Sequence, residues 1–149
     1  MSLKVLIAED QLLIADLLEE TLISHGYEVV GIARTVDEAV ALGELHKPDL
    51  AILDVRLARG GHGPDIAHRL HSTGKIGVLY ATGDDVRNSS LTKDDGNASL
   101  AKPYQQDDVA RALMLVRQIM AKGNIVPPYP SGFRVLADKP ANGMIGEPV

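Results

Sequence analysis

Val5-Leu6-Ile7-Ala8, followed at once by Glu9-Asp10, is the stretch on which the fold turns. Four consecutive apolar residues leave no polar face, so a strand here must be covered on both sides. The pattern recurs in Val29-Val30-Gly31-Ile32-Ala33, in Leu50-Ala51-Ile52-Leu53, from Ile76 to Ala81, and briefly from Ala98 to Ala101. Helical patterns lie between these runs. Gln11 to His25 carries Ile14, Leu17, Leu18 and Leu22 at helical spacing. Thr35 heads a capping box with Glu38 and opens a helix to about His46. Pro64 sits in the first turn of a helix to about Thr73, and Val109, Leu113, Val116 and Met120 mark a last amphipathic helix. Doubly buried strands alternating with helices predict an α/β fold. It is a five-stranded parallel sheet in a doubly wound three-layer sandwich, with right-handed crossovers.

The 149 residues are enough for one ordinary domain. Fifteen Lys and Arg against twenty Asp and Glu give a net charge of −5, the wrong sign for a nucleic-acid binder. Aromatics make up 3% of the chain, with no Trp, so the core must be aliphatic. There is no cysteine, which removes disulfides, thiolate metal sites and a Cys nucleophile, and fits a cytoplasmic setting. No apolar run is long enough to span a membrane.

In a parallel sheet the C-terminal ends of the strands share one edge, and ligands bind there. The residues just past the strands are Glu9 and Asp10, then Asp54, Thr82 and Lys102. Clustered carboxylates repel one another and call for a hard cation with oxygen ligands, Mg²⁺ above all. One carboxylate can then attack a phosphoryl group, while a hydroxyl and an ammonium hold its remaining oxygens.

The motifs Glu9-Asp10, Leu53-Asp54-Val55, Ala81-Thr82-Gly83 and Lys102-Pro103-Tyr104, in this order and each at a strand end, resemble a response-regulator receiver domain of two-component signalling. The resemblance covers residues 3–122 and implies the flavodoxin-like strand order 2-1-3-4-5. It makes Asp54 the phospho-acceptor. Glu9, Asp10 and Asp54 would hold Mg²⁺, together with the Arg56 backbone carbonyl. Thr82 and Lys102 would bind the phosphoryl group, and Tyr104 would be the aromatic switch residue. The Lys102–Pro103 bond would be cis. Tyr80-Ala81-Thr82-Gly83 with Lys102-Pro103-Tyr104 further resembles the alphaproteobacterial "FAT GUY" group of stand-alone receivers, although Tyr80 replaces its Phe and Asp84 follows Gly83.

The implied function is that of a bacterial, single-domain phosphorelay regulator. It would take a phosphoryl group from a histidine kinase or phosphotransfer protein, with no catalysis beyond its own phosphorylation and dephosphorylation. Its output would be protein contact or a phosphate sink. The alternative is a pseudo-receiver scaffold that does not use phosphate. Asp10 has a plainer reading as a cap of the first helix.

The chain departs from the family in two places. Ala58-Arg59-Gly60-Gly61-His62-Gly63 stands where many receivers have a Pro, and it reads as a mobile loop. Residues 84–97 are poor helix material, with only Val86 and Leu91 as large apolar anchors, and read as a short, frayed or displaced segment. His62, and His68 with His71, read as solvent-facing. Residues 123–149 hold five of the eight prolines and read as a tail without its own core, beyond a receiver of 1–122. Phe133, Val135 and Leu136 are its expected docking residues, near the weak segment before the fifth strand.

Overall fold

The computed structural model describes residues 2–83 and 90–138. The expected units appear in order: β1 (Lys4–Ala8), α1 (Leu12–Ser24), β2 (Glu28–Ala33), α2 (Val36–His46), β3 (Leu50–Asp54), α3 (Gly63–Leu70), β4 (Gly77–Thr82), β5 (Ala98–Ala101) and α4 (Gln106–Lys122). The five predicted strands are parallel and run in the order β2-β1-β3-β4-β5.

The sheet goes one strand further. β6 (Phe133–Val135) pairs antiparallel with β5, so the tail residues 133–135 belong to a six-stranded sheet. Three residues of Phe-Arg-Val are too short a run to announce a strand, and an antiparallel partner needs no helical crossover.

Two aliphatic layers cover the sheet, and the strand residues alternate between them. Val5, Ile7, Leu50, Ile52 and Leu79 pack with Leu18 and Leu22 of α1 and Val109, Leu113 and Val116 of α4. Leu6, Ala8, Ala51, Leu53, Val78 and Tyr80 pack with Val40 of α2 and Ile66 and Leu70 of α3. Each fully buried aliphatic side chain is worth about 1.5–3 kcal/mol, so the two layers carry the fold. α1 buries Ala15, Leu18 and Leu22; Leu17, expected among the core-facing residues, is 49% exposed, and Leu12 and Leu13 are more exposed still.

The Thr35 hydroxyl accepts the Glu38 N–H at 3.2 Å, while the Glu38 carboxylate reaches back to the Arg34 N–H at 2.8 Å. The first of these is the expected cap. α3 ends at Leu70, earlier than expected, and passes into a 3₁₀ turn over His71–Thr73.

The glycine loop, expected to be mobile, closes into a tight hairpin in this structure. Arg56 and His62 form an antiparallel bridge. Leu57 N–H donates to Gly61 at 2.9 Å, Gly63 to Val55 at 2.9 Å and Ala58 to Arg34 at 3.1 Å. Arg59 and Gly60, both at positive φ, make the turn. Residues 84–89 lie outside the described residues. Of the rest of that weak segment, 90–97 is built of hydrogen-bonded turns, anchored by the Tyr80 hydroxyl donating to the Asp95 carbonyl at 2.6 Å and by Val78 N–H donating to the Asn97 side chain at 2.8 Å.

Gly63 is where the backbone of α3 meets that of β3: a Cβ there would collide with the Asp54 carbonyl oxygen. Gly63→Ala should therefore cost about 1–3 kcal/mol, the usual range for overpacking. Urea unfolding checks this, with the midpoint expected to fall.

Candidate phosphoryl-acceptor site

Strand register builds the site. Ala8 lies beside Leu53, so the next residues, Glu9 and Asp54, leave the sheet side by side at the point where strand order reverses. Asp54 pairs with Ala81 and Thr82 with Ala101, which brings Thr82 and Lys102 to the same edge.

Glu9, Asp10 and Asp54 each offer a carboxylate oxygen within 4.8 Å of the others. The Lys102 ammonium bridges two of them, at 2.7 Å from Asp54 Oδ2 and 3.1 Å from Glu9 Oε1. The Arg56 N–H donates to Asp54 Oδ1 at 3.2 Å, and the Gln11 N–H to Glu9 Oε2 at 3.1 Å. Asp54 is thus oriented through both of its oxygens. Asp10 does not cap α1, whose N-cap is Gln11 without a side-chain bond, so its carboxylate is left to the cluster.

Thr82 is buried at the end of β4, and its carbonyl accepts the Lys102 N–H at 2.7 Å. The Lys102–Pro103 bond is cis. Tyr104 packs against the α1–α4 layer, and its buried hydroxyl has no hydrogen-bond partner among the described residues. Burial pushes the Tyr104 phenol up to about 12.

Burial also pushes the Glu9 carboxyl up, against the pull of the Gln11 N–H, and the Asp54 charge adds to the rise. For Lys102, burial disfavours the charge, but the hydrogen bond and charge of Asp54, joined by those of Glu9, hold the ammonium above the usual lysine value. With all groups ionised, one cation faces three carboxylates. The donor set is all hard oxygen and short of positive charge, which fits Mg²⁺.

The other candidates lie elsewhere. His62 is exposed in the hairpin. His68 is half exposed, as expected, but pairs with Asp95 at 3.0 Å and so ties α3 to the turn before β5. His71 lies beside it, with ring centroids 6.2 Å apart. The sequence reading missed this tie and the Tyr80–Asp95 bond, because no local pattern marks pairs so far apart along the chain.

Residues 5–114 match the response regulator receiver domain. The chain belongs to this family of signalling proteins. It is 40% identical over 114 residues to the transcriptional regulatory protein PdtaR of Mycobacterium tuberculosis, covering 75% of this chain and 55% of PdtaR. It is 33% identical over 114 residues to the phyllosphere-induced regulator PhyR of Methylorubrum extorquens, covering 76% of this chain and 43% of PhyR. The crystal structure of PhyR from Brucella abortus superposes with a TM-score of 0.67 at 32% identity, over 83% of this chain and 53% of that one. The receiver chain thus spans about half the length of these relatives. Among its described residues no helix is long and apolar enough to cross a membrane.

Two predictions follow from the charge balance. Glu9, with its raised pKa, takes up a proton at higher pH than an ordinary glutamate, and that proton competes with a cation. Millimolar Mg²⁺ should therefore raise the melting temperature at neutral pH, the folded state gaining about 2.7 kcal/mol at a hundredfold excess over Kd. The gain should shrink as pH falls through the Glu9 titration. Thermal melts across pH, with and without Mg²⁺, measure it. Lys102→Met strips two buried carboxylates of their counter-ion and should cost about 3 kcal/mol at neutral pH. Acidification should restore part of the loss as the carboxylates protonate. Lys102 itself, with its raised pKa, contributes fully below the ordinary lysine value and loses that contribution as pH rises through its own.

Proposed function

We propose that this receiver accepts a phosphoryl group on Asp54 from the phosphohistidine of a histidine kinase or phosphotransfer protein in the bacterial cytoplasm. The observation that carries the reading is the Asp54 carboxylate held between Lys102 Nζ and the Arg56 N–H, beside Glu9 and Asp10. An Asp54 oxygen attacks phosphorus. The P–O bond forms as the P–N bond breaks, and the imidazole nitrogen leaves with the electron pair and takes a proton from solvent.

Lys102 then turns from the carboxylate to a phosphoryl oxygen as a point charge, and the Thr82 hydroxyl donates to another. Mg²⁺ held by Glu9, Asp10 and Asp54, with the Arg56 carbonyl, supplies neutralising charge when bound. Tyr104, whose hydroxyl has no hydrogen-bond partner to give up among the described residues, is the residue that moves when Thr82 is drawn toward the phosphoryl group. Hydrolysis of the acyl phosphate returns the carboxylate and releases inorganic phosphate.

Leu12, Leu13 and Leu17 expose apolar surface on α1, and Ile14, Lys102, Pro103, Tyr104 and Gln106 line a cleft of about 430 Å³ on the same side of the site. This surface suits the helical face of the phosphoryl donor. Residues 1–122 form the receiver unit in this reading, and 123–149 its tail. Output is by protein contact or by draining phosphate from the donor.

Asp54→Asn keeps the shape and removes the nucleophile. Incubation with acetyl phosphate and Mg²⁺, followed by intact-mass spectrometry, should show a phosphoryl adduct on the unsubstituted chain and none on the variant. An adduct that persists in Asp54→Asn moves the acceptor elsewhere. A chain that never takes up phosphate returns the scaffold alternative.

A further inference from the structure

β6 is wired to both ends of the stretch that leads into Lys102. At one end Ala101, the residue before Lys102, donates its N–H to the Gly132 carbonyl at 3.0 Å. At the other, Leu136 donates to the Asn97 carbonyl at 3.0 Å, and Lys93 donates to the Ala137 carbonyl at 2.7 Å. Leu136 is 2% exposed and joins the same core layer as Tyr80 and Leu91. Tyr80 lies two residues before Thr82. The tail therefore touches the turns after β4, the length of β5 and the approach to the ammonium that grips Asp54.

Its hold is limited. The strand has three residues, and Arg134 and Val135 are exposed; Val135 does not pack as the sequence reading expects. An edge element with so little burial belongs to the low-stability end of a fold. Ser99, which pairs with Arg134, keeps a buried hydroxyl without a hydrogen-bond partner among the described residues. The preceding segment, with Pro127, Pro128 and Pro130, is largely exposed and forms a tether.

We propose that β6 is a strap that opposes phosphorylation of Asp54. Docked, it holds residues 91–102 in the arrangement in which Lys102 grips Asp54 and Glu9; a phosphoryl group on Asp54 favours its release. The inference rests on Asp54 being the acceptor. The Lys102–Asp54 contact of 2.7 Å is made on Oδ2, so the ammonium has to let go of that oxygen to hold a phosphoryl oxygen instead. The Lys102 N–H is bonded to Thr82 and that of Ala101 to Gly132, so the strap fixes the backbone from which the ammonium reaches Asp54. Linkage makes the effect reciprocal: the factor by which a bound phosphoryl group weakens docking of the strap is the factor by which docking weakens phosphoryl binding.

The chain has no cysteine, so an introduced pair is unique. Ala98 and Val135 face each other next to the hydrogen-bonded Asn97–Leu136 pair, and so form a non-hydrogen-bonded pair. Such pairs have Cα atoms about 4.5 Å apart, within reach of a disulfide. The 149-residue Ala98→Cys/Val135→Cys chain should bind beryllofluoride with Mg²⁺, a phosphoryl mimic, about five-fold or more weakly when oxidised than when reduced. Leu136→Ala, which loosens the strap, should bind the mimic more tightly than the unsubstituted chain. In the unsubstituted chain, amide exchange at residues 133–137 should speed up when the mimic binds, and this measurement needs no variant to fold. Equal affinity in the oxidised and reduced forms, or exchange at 133–137 unchanged by bound mimic, would overturn the strap while leaving Asp54 as the acceptor. Failure of the reduced and unsubstituted proteins to bind the mimic at all would overturn the acceptor reading, and the strap with it.

Discussion

One ammonium set between buried carboxylates governs this molecule. Lys102 stands 2.7 Å from Asp54 and 3.1 Å from Glu9, at the end of a sheet whose interior is mostly aliphatic. Carboxylates so placed are tolerable only with a counter-charge, because burial strips away their water. Lys102 supplies one positive charge against three negative ones, counting Asp10. The remaining deficit makes the edge receptive to a cation and gives the lysine its most favourable partner in Asp54. The same arrangement couples chemistry to shape: a group added to Asp54 Oδ2 displaces the ammonium that stabilises the site.

The rest of the fold keeps this contact in place. The alternation of β1 and β3 residues between two aliphatic layers leaves no freedom of register, since a slip of one residue would turn every side chain to the wrong layer. Register in turn fixes Glu9 beside Asp54. The hairpin after β3 turns the Arg56 N–H onto Asp54, and Gly63 lets α3 start directly against the strand end. Asp54 is held by backbone on one side and by a salt bridge on the other. Positioning of this kind is most of what phosphoryl transfer asks of a protein.

On the far side of the sheet the edge is less strongly built. The turns of residues 90–97 depend on hydrogen bonds from Tyr80, Val78 and Leu136 and on the His68–Asp95 pair, with Leu91 as their main apolar anchor. Such polar ties can be exchanged for water at modest cost, whereas the aliphatic contacts of β1 and β3 cannot. The molecule thus sets the tightly packed β3 beside a more easily rearranged edge, and Lys102 sits where the two meet.

The amino-acid sequence by itself determined the α/β class, the five parallel strands and the residues at their ends. Uninterrupted apolar runs such as Val5–Ala8 allow only a doubly covered strand, and the polar residue that follows each run marks where the sheet stops. Those are local properties, readable from neighbouring residues. The tertiary structure alone decided which groups meet. It set Lys102 on both Glu9 and Asp54, freed Asp10 from capping α1, closed the glycine loop into a hairpin and turned Leu17 to the surface. It also recruited Phe133–Val135 as a sixth strand, although their short run carries no period. Each of these rests on contacts between residues far apart in the chain, whose energy depends on distance and burial, and neither quantity exists until the sheet has formed.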